Sequence, residues 1–227
     1  MIGGMELSDM RILVTSANDY MGPAVAAFLR DAGAEVIADD GHLVGPDEPA
    51  VLIERVGEVD AVFANLDLAA YGAPVTAIAD DGWLEGFDRM VHPLMRLVRA
   101  VAPQMIERGS GSIVAMTSAS PLRRMRPHAV SYVTARAAQN AFVRSAGHEL
   151  ARRGVRLNAI AQNFVENDTY YPPSLMENEK FLAKLDDEVP ARRLGRPMET
   201  AELAAFLLSE KSSFIFGQVI SQDGGWS

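Results

Sequence analysis

Short apolar runs separated by helical segments constrain this chain more than any other feature. Arg11-Ile-Leu-Val-Thr15 reads as a buried strand and Pro23–Ala32 as a helix packed on it, with Gly33 closing that helix before a second strand at Glu35–Ala38. Asp60–Ala64, Gly111–Thr117 and Val155–Ala161 repeat the strand pattern. Helical segments near Leu84–Arg108, Ser131–Arg153 and Glu199–Ser209 lie between or after them. Ser212–Ser221 supplies a last strand, which runs into Asp223-Gly-Gly-Trp226. Such alternation predicts an α/β fold in which a doubly wound parallel sheet carries helices on both faces and binds ligands at the carboxyl ends of its strands. The acidic stretch Asp39–Pro49, rich in Gly and Pro, reads as a loop, and 227 residues suit a single domain over 1–227.

Composition narrows the function. A net charge of −9 argues against binding a phosphate backbone, so no nucleic-acid partner is expected. The chain has no cysteine, which removes disulfides, thiolate chemistry and cysteine-ligated zinc, and its four histidines have no metal-ligand spacing. No metal site is expected. With no long apolar span and no basic-apolar leader, neither a membrane nor secretion is indicated, and the cytoplasm is the expected compartment.

The chemistry concentrates around Ser131-Tyr-Val-Thr-Ala-Arg136. Residues four apart share one face of a helix, so Arg136 can stand beside Tyr132, where a permanent cation favours the phenolate. Ser118, at the end of the apolar run Ile113–Met116, adds a hydroxyl to hold a substrate oxygen. Tyr-x-x-x-Arg alone is common in helices, so its context decides its meaning.

With this Ser and Tyr-x-x-x-Arg set, the chain resembles the short-chain dehydrogenase/reductase superfamily from Ile12 to Trp226, which implies a Rossmann-like fold. That superfamily pairs its tyrosine with lysine. The arginine here, with Ser118-Ala-Ser-Pro121 before it and Ile160-Ala-Gln-Asn-Phe164 after it, is similar to the halohydrin dehalogenases, a cofactor-free branch with a Ser-Tyr-Arg triad. On that resemblance Ser118, Tyr132 and Arg136 are catalytic. Ser118 is preferred to Ser120 by its distance from the tyrosine; Ser120, beside Pro121, shapes the loop.

The dehydrogenases open with a turn of pattern T-G-x-x-x-G-x-G, since glycine lets the backbone approach a pyrophosphate. This chain has Thr15-Ser-Ala-Asn-Asp-Tyr-Met-Gly22, with Ser16 and Tyr20 at two glycine positions and Asp19 beside them. Bulk and charge both argue against NAD, and no cofactor is expected. Tyr20 either turns to solvent or, as the resemblance implies, joins a halide pocket. Asp39 and Asp40 occupy the region of a ribose-binding acid, but before Gly41 they serve a turn equally well. Met90 aligns with the superfamily's proton-relaying asparagine; a thioether relays no proton, and a core position is the alternative.

After the strand Val155–Ala161, the resemblance places Gln162, Asn163, Phe164, Val165 and Tyr171 at a halide and substrate site, with backbone N–H groups as donors to the anion. It implies a vicinal haloalcohol or epoxide as substrate and a halide or other small anion as partner. It also implies a homotetramer, for which the alanine-rich Thr134–Ala146 face suits close helix contact. The competing expectations are an atypical NAD(P)-dependent oxidoreductase and a catalytically silent scaffold.

Overall fold

The computed structural model describes residues 7–66, 72–123 and 128–227. Six parallel strands form one sheet: β1 (Arg11–Thr15), β2 (Glu35–Asp39), β3 (Ala61–Ala64), β4 (Gly111–Ser118), β5 (Val155–Gln162) and β6 (Val219–Gln222), in the order β2-β1-β3-β4-β5-β6. The expected α/β, Rossmann-like architecture is present. The strand order reverses direction between β1 and β3, which opens the crevice where doubly wound folds bind ligands.

Seven α-helices are described: α1 (Gly22–Asp31), α2 (Glu48–Val56), α3 (Asp80–Gly86), α4 (His92–Arg108), α5 (Val130–Ala151), α6 (Glu179–Glu188) and α7 (Pro197–Leu208). Strand side chains alternate between two apolar layers. Leu13, Val62, Ile113 and Leu157 pack with Leu97, Val101 and Val143 on one face. Ile12, Phe63, Val114 and Ile160 pack with Val25, Leu29 and Leu208 on the other. Each such side chain contributes about 1.5–3 kcal/mol by leaving water, and the central strands are apolar on both faces because helices cover both.

The structure corrects several element boundaries. The segment read as one helix over Leu84–Arg108 starts earlier, at Asp80, and passes through a π-helical turn at Phe87–Val91, where the His92 N–H bonds the Phe87 carbonyl. Pro93 follows that turn. Its ring would clash with the carbonyl four residues back in a regular helix, and the wider turn makes room. The last strand is only Val219–Gln222, because Gly217 turns the chain at a φ of 63° and Phe214 stands in solvent. Helix α2 begins at Glu48, inside the end of the expected loop.

Buried Arg156 ties the sheet to α7. Its guanidinium donates to the carbonyls of Leu207, Leu208 and Ser209 and to the Ser212 hydroxyl, satisfying the open end of that helix. Burial pulls its pKa below the ordinary value, against the upward pull of Glu210, yet arginine keeps its charge. Arg156→Leu would remove four hydrogen bonds at once, including the donor to the Leu208 carbonyl, while the Leu207 and Ser209 carbonyls keep those from Ser112 and Ser212. It should lower equilibrium stability by roughly 3 kcal/mol, read as a fall in the urea midpoint at unchanged slope.

Candidate active site

Ser118 ends β4, so its side chain reaches the carboxyl edge of the sheet. Its Oγ accepts the Ser120 N–H at 3.0 Å and donates to the Ser120 Oγ at 2.9 Å. Both hydroxyls line one cavity of about 720 Å³, and Tyr132 lines it too, from the first turn of α5. Ser120, expected only to shape the loop, thus also orients the Ser118 hydroxyl. Asn140 holds the strand end by donating to the Ser118 carbonyl at 3.1 Å.

Arg136 is 1% exposed, and its guanidinium carbon lies 5.2 Å from the centroid of the Tyr132 ring. One terminal nitrogen donates to the carbonyls of Leu66 (3.3 Å) and Met116 (3.4 Å) and to Gln139 Oε1 (3.0 Å). The Gln139 amide then donates to the Met90 carbonyl at 2.9 Å, within the π turn. Met90 itself is a core side chain and packs in a small cluster with Ala135 and Tyr132. Gln139 was not singled out from sequence, although it sits three residues from Arg136 on the same helix face.

The opposite wall holds the residues expected at a halide site. Tyr20, Gln162, Asn163, Phe164, Val165 and Tyr171 all line the same cavity. Tyr20 does not turn to solvent: its hydroxyl accepts from Gln162 Nε2 at 3.0 Å, and its ring meets Tyr170 edge-on at 5.9 Å. Buried Thr200 steadies Gln162, with its hydroxyl 2.9 Å from Gln162 Oε1. Phe164 reverses the chain at a φ of 52°, rare for an aromatic residue, and is held by Tyr171 and Trp226 on its ring and by the Gly195 N–H on its carbonyl.

One expectation about this wall is corrected. The N–H groups of Asn163 and Phe164 do not face an anion, because they bond the Gln222 carbonyl and Asn163 Oδ1. Asn163 Oδ1 also accepts from the Tyr171 hydroxyl at 2.8 Å, an arrangement that leaves the amide nitrogen as the donor end of the side chain.

The residues of the first turn do not fit a dinucleotide. Ser16 and Tyr20 keep the left-handed backbone that glycine would adopt, with φ of 43° and 53°. The N–H groups of Ala17, Asn18, Asp19 and Gly22 bond within the turn or to Asp39 and Asp40, rather than opening toward an anion. The Asp40 carboxylate holds both the N–H and the side chain of Asn18, while that of Asp39 holds Arg55 and the Gly41 N–H. The Tyr20 ring spans from this turn to the end of β5, across the crevice a dinucleotide would follow. Of the pattern's glycines only Gly22 remains, since a Cβ there would lie 2.3 Å from the Ser16 carbonyl oxygen.

Residues 48–227 match the family model described as enoyl-(acyl carrier protein) reductase. The chain belongs to that short-chain dehydrogenase/reductase family. The oxidoreductase YmfI of Bacillus subtilis (strain 168), itself uncharacterized, is 36% identical over 171 residues, covering 75% of this chain and 68% of that protein. A solved structure described as a dehalogenation enzyme is 32% identical with a TM-score of 0.89, covering 97% of this chain and 99% of that one. Halohydrin dehalogenase HheC bound to ethyl (2S)-oxiran-2-ylacetate is 27% identical with a TM-score of 0.88, covering 95% of this chain and 96% of that one.

In this short-chain dehydrogenase/reductase the Phe164 turn leans on the loop before α7. Val165 bridges to Gly195, and Arg193 grips Glu199 through two bonds of 2.8 and 2.7 Å. Glu199 also accepts the Arg196 N–H at the start of α7. These hydrogen bonds, that of Arg193 first, lower the Glu199 pKa from 4.5 to about 2. A depressed carboxyl stabilises the fold above its unfolded value and loses that contribution as pH falls through the folded one. Between the ordinary 4.5 and about 2, the melting temperature of Glu199→Gln should therefore decline less steeply with acid than that of the parent.

Proposed function

We propose that this protein is a halohydrin dehalogenase working without a cofactor. Tyr132, as phenolate, takes the hydroxyl proton of a vicinal haloalcohol while the Ser118 hydroxyl turns its proton from Ser120 to the same oxygen. The Arg136 guanidinium stacks over the Tyr132 ring, 5.2 Å from its centroid, and holds it in place. The alkoxide attacks the neighbouring carbon, a C–O bond forms, and the C–halogen bond breaks with its electron pair leaving on the halide. Tyr20, Asn163 and Tyr171 form the anion's wall, with the Asn163 amide nitrogen as a donor. In the reverse direction Tyr132 protonates an epoxide oxygen as a small anion opens the ring.

The observation that carries this reading is the Tyr20–Gln162 hydrogen bond, which puts an aromatic ring across the dinucleotide crevice while Ser118 and Tyr132 face the same cavity. The solved dehalogenase structures similar to this chain support it. An NAD(P)-dependent oxidoreductase is the second reading, favoured by the enoyl reductase family match.

Bromide release from a vicinal bromoalcohol should proceed with no nicotinamide present, followed by an ion-selective electrode. Turnover seen only after NAD(P)(H) is added would favour the oxidoreductase instead. Tyr132→Phe should lose about 10²–10⁴-fold in rate and Ser118→Ala about 10²–10³-fold, with circular dichroism unchanged. Near-parental rates in both would remove the assignment.

Arg136 is tested by substitution. Arg136→Lys keeps a cation and should retain part of the activity, whereas Arg136→Met should lose ring closure near neutrality. Parental rates in the methionine variant would mean that the arginine serves packing alone.

A further inference from the structure

Behind the anion wall stands a wholly buried hydroxyl that the proposed reaction does not use. Thr200 sits in the first turn of α7, where its neighbours Ala201 and Ala204 join Ile160 and Val165 in one apolar layer. Valine would fill the same space. A hydroxyl in such a layer costs free energy unless it is bonded, so its partners account for its presence.

Those partners end two paired strands. Thr200 Oγ1 lies 2.9 Å from the carboxamide oxygen of Gln162, the last residue of β5, and 2.9 Å from that of Gln222, the last residue of β6 and the register partner of Gln162. Its single proton serves one oxygen at a time, so the hydroxyl is pinned between the two carboxamides. Gln162 is itself buried, and the nitrogen end of its carboxamide donates to the Tyr20 hydroxyl at 3.0 Å. A polar chain thus runs under the cavity wall from Gln222 through Thr200 and Gln162 to Tyr20. It anchors the far end of a ring whose own backbone holds a φ of 53° in the first turn.

We infer that Thr200 is a positioning residue for the anion side of the site: by fixing the rotation of the Gln162 carboxamide, it holds Tyr20 in place against a halide or other small anion. Without the hydroxyl, the buried Gln162 oxygen loses that bond, the carboxamide turns, and Tyr20 loses its donor. Thr200 touches no ligand itself. The inference rests on the dehalogenase reading for its reaction, but not for the coupling between Thr200 and Tyr20.

Two measurements on the full chain test it. The bromide Ki against bromoalcohol turnover reports anion affinity during the reaction, and the part of the chloride NMR line width that bromide displaces reports it without turnover. Thr200→Val should raise the bromide Ki about fivefold, the worth of one hydrogen bond, and Thr200→Ser should return it to within about twofold of the parent. Thr200→Ala replaces the valine variant if that fails to fold, and should behave as it does. Tyr20→Phe should raise Ki on its own, and adding Thr200→Val to it should raise Ki no further, because the link is already broken. A parental Ki in the variants lacking the hydroxyl, no rescue by serine, or the same fold-change with and without the Tyr20 hydroxyl would each overturn the inference. If the parent releases no bromide but binds displaceable chloride, and Thr200→Val removes most of that signal, the dehalogenase reading fails and the inference stands. If the parent turns over while Thr200→Val moves neither measurement, the inference fails and the dehalogenase reading stands. A parent with neither turnover nor displaceable chloride overturns both.

Discussion

A guanidinium placed in a protein interior must have its donors satisfied, and this requirement binds the fold to its site. Arg136 meets part of it through one terminal nitrogen, which bonds the carbonyls of Leu66 just beyond β3 and Met116 in β4, together with Gln139 on its own helix. Gln139 extends the connection to the Met90 carbonyl in the π turn. Displacing any of these would leave a polar group buried without its bond, at about 1–3 kcal/mol or more for a charged partner. The cation is therefore held still beside Tyr132 by the same carbonyls that end the strands. Precision at the phenol is a by-product of satisfying a buried charge.

The other wall is built by a different principle. Phe164, Trp226, Leu185, Val189 and Leu194 form a small apolar cluster with Tyr171 and Phe181 packed against it, separate from the two layers on the sheet. This cluster fixes a loop rather than a strand, and Gly195 and Arg193 brace it from behind through the Phe164 carbonyl and Glu199. A positive-φ phenylalanine is tolerable there because rings and hydrogen bonds surround it. In the proposed reaction, the proton would be handled on rigid elements and the leaving anion on this braced loop.

Much of the fold was legible because the central strands are short, apolar on both faces and separated by amphipathic segments. The boundaries that escaped depend on contacts beyond the local pattern. The π turn follows from Pro93 meeting a packed helix, and the shortened last strand from a glycine turn at Gly217. Helix α6 carries a short apolar stripe of Phe181, Leu182 and Leu185 amid charged residues, although its cap Asn178, which accepts from the N–H groups of Lys180 and Phe181, is a readable signal. At the candidate site, Ser118, Tyr132, Arg136 and the residues at and after the end of β5 were found from sequence and resemblance; the structure gathers them around one cavity except Arg136, which is buried behind the Tyr132 ring. Gln139, Thr200 and the second role of Ser120 were not, since each depends on which neighbour a polar side chain meets. The occupation of the Asn163 N–H was likewise invisible without the paired strand β6, and that of the Phe164 N–H depends on how the Asn163 side chain folds back.

The first turn carries a different implication. Ser16 and Tyr20 hold glycine-like backbone angles although neither is glycine, at a conformational cost of roughly 1–2 kcal/mol each. The main chain thus keeps a shape that glycine adopts freely, while carrying side chains that glycine lacks. Two forms of one scaffold can in this way stand a few side-chain exchanges apart, with no rearrangement of the main chain between them.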